Sequence, residues 1–147
     1  MHEGSCLCGA VKYEIDGELG PIVYCHCSRC RKANGSAFAA VSPVASSDFH
    51  IVKGQEHLRS YRSASGVHRI FCGICGSPII GKRESLSETV RVRIGTLDTP
   101  SYAKVSAHIF VDSKAEWDNI HDDAPQYQER PYGKALDTAS AAQTTGC

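Results

Sequence analysis

The sequence predicts a mainly β fold in a single domain, and three observations carry that prediction. Apolar and polar residues alternate with a period of two in several short runs. Those runs recur at intervals of roughly ten residues, with glycine-containing turns between many of them. Convincing helical periodicity is scarce. A length of 147 residues with 41% hydrophobic content suits one domain rather than two.

Each element follows from local pattern. Residues 10–15 put Val11, Tyr13 and Ile15 on one side and Lys12 and Glu14 on the other, a half-buried strand that turns at Asp16-Gly17. Ile22, Val23 and Tyr24 make a second strand running into Cys25, Cys27 and Cys30. Arg31-Lys32-Ala33 is expected to form a single helical turn before Asn34-Gly35 breaks it. Further strands are read over residues 37–41, 49–52, 58–61 and 68–71, then the strongly alternating Val90-Arg91-Val92-Arg93-Ile94, and finally 107–111. The antiparallel arrangement is favoured because strands follow one another without intervening helices. Residues 133–147 are rich in Ala, Ser, Thr, Gln and Gly and lack apolar period, which predicts a disordered tail after a domain of residues 1–132. Cys147 in that tail reads as a free thiol.

Lysine plus arginine equals aspartate plus glutamate at 16 each, so the formal charge is zero and no general attraction to nucleic acid or anionic membrane is implied. The amino terminus lacks a basic region followed by an apolar stretch, and no apolar run approaches membrane-spanning length. The expected location is the cytoplasm. Exposed edge strands leave room for a homodimer.

Eight cysteines in so short a chain suggest either disulfides or metal, and their tight clustering favours metal. In Cys6-Leu7-Cys8 and Cys25-His26-Cys27 the partners are too close for an easy mutual disulfide yet well placed to share one ion. Cys72-Gly73-Ile74-Cys75-Gly76 has the form of a zinc knuckle, with Gly76 supplying a positive φ. One knuckle provides half a tetrahedral site, and Cys6 with Cys8 is the natural other half, a closed structural centre. Cys25, Cys27 and Cys30 can gather around a second ion but leave a tetrahedral zinc one ligand short. Either a histidine such as His26 completes it as a second structural site, or the position stays open for chemistry. Pairing Cys25 and Cys27 with Cys72 and Cys75 instead would strand more sulfurs. Zinc, about two ions per chain, is the expected cofactor; seven thiolates and two divalent ions sum to roughly three negative charges.

At this point the motifs resemble a known family. Residues 4–13 (Gly4-Ser5-Cys6-Leu7-Cys8-Gly9 onward), Cys25-His26-Cys27-Ser28-Arg29-Cys30-Arg31-Lys32, Phe71-Cys72-Gly73-Ile74-Cys75-Gly76-Ser77-Pro78, Gly95-Thr96-Leu97-Asp98 and the segment from His108 to Trp117 are similar to the glutathione-dependent formaldehyde-activating enzymes. The resemblance covers about residues 4–131, in order. It implies a β-tent, antiparallel sheets stapled by zinc, with structural zinc on Cys6, Cys8, Cys72 and Cys75 and a second zinc on Cys25, Cys27 and Cys30. It also implies a carbon–sulfur lyase that reversibly joins formaldehyde and glutathione into S-hydroxymethylglutathione, with glutathione as cosubstrate and an aldehyde or glutathione conjugate as partner.

On that expectation a metal-bound thiolate is the nucleophile, and Arg29, Arg31 and Lys32 beside the cluster are candidate clamps for the glutathione carboxylates. The bland reading of these three is ordinary solvated surface. His26, Ser28 and His108 are candidates for passing protons, although a lone histidine more often serves structure. Trp117, with Ile109, Phe110 and Val111, reads first as core packing, and Asp98 as a turn former through its side-chain oxygen. A non-enzymatic zinc module that binds a protein or thiol is the main alternative. A nucleic-acid-binding zinc ribbon is the weakest, given zero net charge.

Overall fold

The computed structural model describes residues 1–130. The expected tail of residues 133–147, with Cys147, lies outside the described residues. In chain order the elements are β1 (His2–Ser5), β2 (Lys12–Ile15), β3 (Ile22–Cys25), α1 (Ser28–Asn34), β4 (Ala39–Ala45), β5 (Phe49–Lys53), β6 (Leu58–Arg62), β7 (Val67–Cys72), β8 (Pro78–Arg83), β9 (Leu86–Arg93) and β10 (Val105–Ile109). The mainly β class holds.

Two sheets form. A small one has the order β1-β2-β5, and a seven-stranded one has the order β10-β3-β4-β9-β8-β7-β6. Both hairpin-like chains of neighbours are antiparallel, but β10 lies parallel to β3, pairing Ile109 with Cys25 and His108 with Tyr24. A parallel pair needs a long connection, and here most of the domain is threaded between the two partners. The expected all-antiparallel sheet is therefore mixed at this edge.

The core sits between the sheets. Val11, Tyr13 and Ile15 from β2 and its approach meet Val44, Ile79, Ile80, Val90 and Val92, together with Cys6 and Cys72. The period of two explains this assignment: Val90 and Val92 point into the core, so Arg91 and Arg93 must project from the opposite face of the large sheet. A second cluster joins Val23, Ala39, Val41 and Ile109 to Cys25, Cys27 and Cys30.

Several local expectations shift. Strand β1, where no strand was expected, has one buried residue, Gly4, and is held by backbone pairing with β2 rather than by an apolar face. Residues 78–83, likewise unassigned, form β8 at the centre of the β7-β8-β9 ladder. Helix α1 is longer than one turn, beginning at Cys27, whose side chain accepts the Cys30 amide, and ending at Gly35 in the left-handed region. The last strand stops at Ile109 because Phe110 takes a left-handed backbone, φ 56°. Trp117 consequently lies in the irregular segment beyond the sheet and is 72% exposed, so it is not core. At the 95–99 turn the Asp98 amide donates to the Glu3 carbonyl, while the side-chain oxygen that receives a backbone N–H is that of Thr99, from Glu3.

Tyr13 ties the layers together. Its hydroxyl lies 2.9 Å from Thr96 Oγ1, and the Thr96 hydroxyl itself donates to the Arg93 carbonyl, so the phenol is the donor of the pair. Burial raises the Tyr13 pKa to about 12, with the Asp98 charge adding to the rise. Because the folded value lies above the ordinary 10.0, stability from the neutral phenol is fully present below about pH 10 and is lost as pH rises towards about 12. Urea titrations across that range should show a steeper alkaline loss in the parent than in Tyr13→Phe; equal slopes would mean Tyr13 ionises as freely in the folded state as in the unfolded one.

Candidate metal centre and adjoining cleft

Two thiol groups assemble from segments distant in sequence. The Sγ atoms of Cys6, Cys8, Cys72 and Cys75 all lie within 4.8 Å of one another, and so do those of Cys25, Cys27 and Cys30. The partition reached from spacing is the one the fold brings together. Backbone turns prepare the first group: Gly9 N–H donates to the Cys6 carbonyl, Gly76 N–H donates to the Cys72 carbonyl, and Gly76 has φ 78°. An amide donor and a hydroxyl also face the sulfurs. Val11 N–H meets Cys6 Sγ at 3.3 Å, and the Ser77 hydroxyl sits 3.3 Å from Cys75 Sγ and 3.0 Å from the Leu7 amide.

The geometry fits a tetrahedral thiolate metal. Zinc–sulfur bonds of about 2.3 Å set tetrahedral sulfurs about 3.8 Å apart; here Cys6 and Cys8 are separated by 3.5 Å and Cys8 and Cys72 by 3.9 Å. The proton chemistry points the same way. The Ser77 hydroxyl and amide pull Cys75 down to about 5. Cys8, despite the Ala10 amide that favours its thiolate, is pushed up to about 11 by desolvation and by the thiols of Cys6, Cys75 and Cys72. Four thiolates this close repel, and a divalent cation removes that conflict. The donor set of soft sulfur and no oxygen suits zinc among the common ions.

The three-cysteine group belongs to the second core. Cys25 ends β3, Cys27 caps α1 and Cys30 occupies its first turn, where the Cys30 amide meets Cys27 Sγ at 3.3 Å. Cys25 and Cys30 are among the residues that line a cleft. Its apolar wall is made by Val23, Val41, Pro43, Val67, Ile109 and Phe110, the last held in its left-handed conformation. Apart from Gly81, the rest of the lining is cationic: Arg69, Lys82, Arg83, Arg91, Arg93 and Arg130.

The residues singled out from sequence fall in different places. Arg29 and Lys32 are exposed on α1, Arg31 is half-buried there, and none of the three lines the cleft. Ser28 is exposed at the start of the same helix. His26 is fully buried, with Nε2 2.8 Å from Nδ1 of the equally buried His108, whose Nε2 reaches Asp122 Oδ1 at 3.0 Å. The carboxylate accepts, so His108 Nε2 carries a proton and, for a neutral ring, Nδ1 accepts from His26 Nε2. Burial first, and then His108, lower the His26 pKa. This chain buttresses the strand end that carries Cys25, helped by the His26 amide donating to the Ile109 carbonyl. The cleft arginines went unread in the sequence. Their signal was the alternation Val90-Arg91-Val92-Arg93, which marks a polar face without saying what it faces.

A family model described as glutathione-dependent formaldehyde-activating enzyme matches residues 1–113. The chain belongs to that family. Among relatives that share the family name, a candidate glutathione-dependent formaldehyde-activating enzyme of Halomonas elongata is 29% identical over 125 residues, covering 80% of each chain. Proteins of the same description from Aspergillus flavus and Aspergillus oryzae are 28% identical over 81 residues, 54% of this chain and 42% of theirs. A crystal structure of a Rhodobacter sphaeroides protein superposes with a TM-score of 0.59 at 29% identity, covering 70% of this chain and 96% of the other.

Two outcomes follow from this geometry. A structural zinc contributes on the order of 10 kcal/mol, comparable with a domain's whole stability of about 5–15 kcal/mol. Cys72→Ser should therefore abolish the folded circular dichroism spectrum, whereas Cys27→Ser should stay folded and lose about half the zinc found by elemental analysis; equal unfolding of both would overturn this division of roles. His108→Leu leaves the buried His26 N–H without its acceptor and should lower stability by about 1–3 kcal/mol in urea; an unchanged midpoint would show that the buttress carries no weight.

Proposed function

We propose that the protein is a zinc-dependent carbon–sulfur lyase acting on glutathione adducts, interconverting formaldehyde plus glutathione with S-hydroxymethylglutathione. Family membership supports the substrate pair. The observation that carries the reading to particular residues is that Cys25 and Cys30 are among the residues lining the cleft, so a metal they hold with Cys27 would border it.

Zinc at Cys25, Cys27 and Cys30 would keep a substrate thiol ionised near neutral pH, against a free-thiol pKa of about 8.5, and fix its sulfur. The cysteines then decide where that sulfur sits. Ile109, Phe110 and Val41 limit water around the reacting carbon. In the forward direction the sulfur lone pair forms the C–S bond at the formaldehyde carbon, the carbonyl π pair moves to oxygen, and that oxygen takes a proton from water. In reverse the hydroxyl gives up its proton as the C–S bond breaks and its electrons return to sulfur. The Cys6, Cys8, Cys72 and Cys75 centre holds the scaffold and takes no part in the step.

Reduced glutathione titrated by calorimetry into protein of measured zinc content should bind near one per chain, and Cys27→Ser should remove that binding. Exchange of S-hydroxymethylglutathione with formaldehyde, followed by NMR, should accelerate with the parent and not with Cys27→Ser. Absence of both binding and acceleration in fully zinc-loaded protein would instead favour a purely structural second centre.

A further inference from the structure

We propose that Phe110 is the specificity-determining residue of the cleft: its ring sets how large a substituent can be carried by the carbon joined to sulfur. This rests on reading the three-cysteine group as the sulfur-binding part of the same cleft.

Strand parity carries the argument. In an extended strand successive side chains point to opposite faces, so neighbours in sequence cannot both look into one cleft. Ile109, the last residue of β10, lines the cleft together with Val23 and Cys25 of its partner strand β3. His108 faces the other way, edge-on to the Tyr24 ring and beside His26. A continued strand would send Phe110 to that second face, where Tyr24 already stacks on Phe38 with ring centroids 4.1 Å apart. Instead Phe110 turns left-handed, φ 56° and ψ 42°, and lines the cleft beside Ile109. A single break in the pleat thus delivers two consecutive side chains to one surface.

Among the described residues Phe110 is the only one other than glycine with a positive φ. Glycine takes that conformation without steric cost, whereas an aromatic residue there is strained. Strain of this kind persists only where the surroundings impose it, and it gathers at sites that clamp ligands. Here the surroundings impose it through the backbone: Ser113 N–H donates to the Phe110 carbonyl at 3.1 Å, Val111 N–H to the Tyr127 carbonyl at 3.1 Å, and His26 N–H to the Ile109 carbonyl at 2.9 Å. Glycine would satisfy the same bonds. What glycine would not supply is the ring, which packs against the cluster that contains Cys25, Cys27 and Cys30 and yet stays half-buried.

A ring that meets the thiol cluster on one side and the cleft on the other limits what can stand next to a sulfur bound there. It is stiff, with two side-chain torsions, and excludes volume where a methionine would yield. A hydrogen on the carbon joined to sulfur fits beside it; an alkyl branch meets it. In an apolar site one methylene changes discrimination by about 10–200-fold, so such a limit is measurable. A ring that served packing alone would, on removal, cost stability and depress every ligand alike.

The test compares the full-length zinc-loaded protein with Phe110→Gly, which keeps the left-handed backbone and loses the ring. Calorimetric titration with two plain thiols, ethanethiol and 2-methyl-2-propanethiol, reads the size limit without turnover, and their difference in acidity cancels between the two proteins. The parent should prefer ethanethiol by at least tenfold in Kd, and Phe110→Gly should shrink that preference by about tenfold. In exchange kinetics with glutathione followed by NMR, the parent's kcat/KM preference for formaldehyde over propanal should fall by a similar factor in Phe110→Gly and by less in Phe110→Leu. Thermal melts establish folding, and Phe110→Leu reads the same ratios if Phe110→Gly does not fold. An unchanged ratio in a folded variant, a proportional loss of all ligands, or a parent that binds both thiols equally or neither overturns the proposal. Ring-dependent thiol selection without carbon–sulfur exchange would sink the lyase reading alone, whereas exchange with an unaltered aldehyde ratio in Phe110→Gly would sink this inference alone.

Discussion

Four thiols from opposite parts of the chain are forced to within 4.8 Å of one another, and the rest of the structure depends on what resolves that crowding. Cys6 and Cys8 ride on the turn that joins β1 and β2 of the small sheet, while Cys72 and Cys75 close the hairpin of β7 and β8 in the large one. Left as thiols they oppose one another, as the divergent acidities of Cys75 and Cys8 express. Held by one divalent ion they become the clasp between the layers. The core around Tyr13, Ile79 and Val92 is built directly against that clasp, since Cys6 and Cys72 are themselves among its buried members.

The large sheet then serves two purposes with its two faces. The inner face supplies Val90, Val92 and Ile80 to the core. The outer face carries Cys25, Arg91 and Arg93 and Arg69, so chemistry and charge share a surface that the strand pleat itself separates from the hydrophobic interior. This division lets a domain of modest size be stable and still present a charged cleft.

Much of this was legible in the sequence, and the exceptions have identifiable causes. Cysteine clusters are local in sequence, so the spacings at residues 6–8, 25–30 and 72–75 revealed both groups, and the count of sulfurs paired them in the way the fold does. The alternation from Lys12 to Ile15 and from Val90 to Arg93 gave correct strands. Strand β1 escaped because His2-Glu3-Gly4-Ser5 has no apolar period; its position is set by backbone hydrogen bonds to β2. The parallel β3–β10 pair escaped because its partners stand 83 positions apart (105 minus 22), and nothing local to either encodes the match. Trp117 was misplaced because hydrophobicity alone says nothing of the left-handed Phe110 that ends the sheet before it. The arginines were visible as a polar face, but only tertiary structure turns that face towards Cys25.

The parallel edge strand has a consequence for the order in which the molecule comes together. Strand β10 pairs with β3 on one side and, through the backbone of His108, with residues 125–127 on the other. It brings His108 to His26 and Ile109 to the wall beside Cys25. The cleft wall beside Cys25 is thus completed by the most non-local strand pairing in the large sheet. Pairing across 83 positions (105 minus 22) cannot form until both segments have been brought together, so the wall beside Cys25 is among the contacts with the highest loop-closure cost.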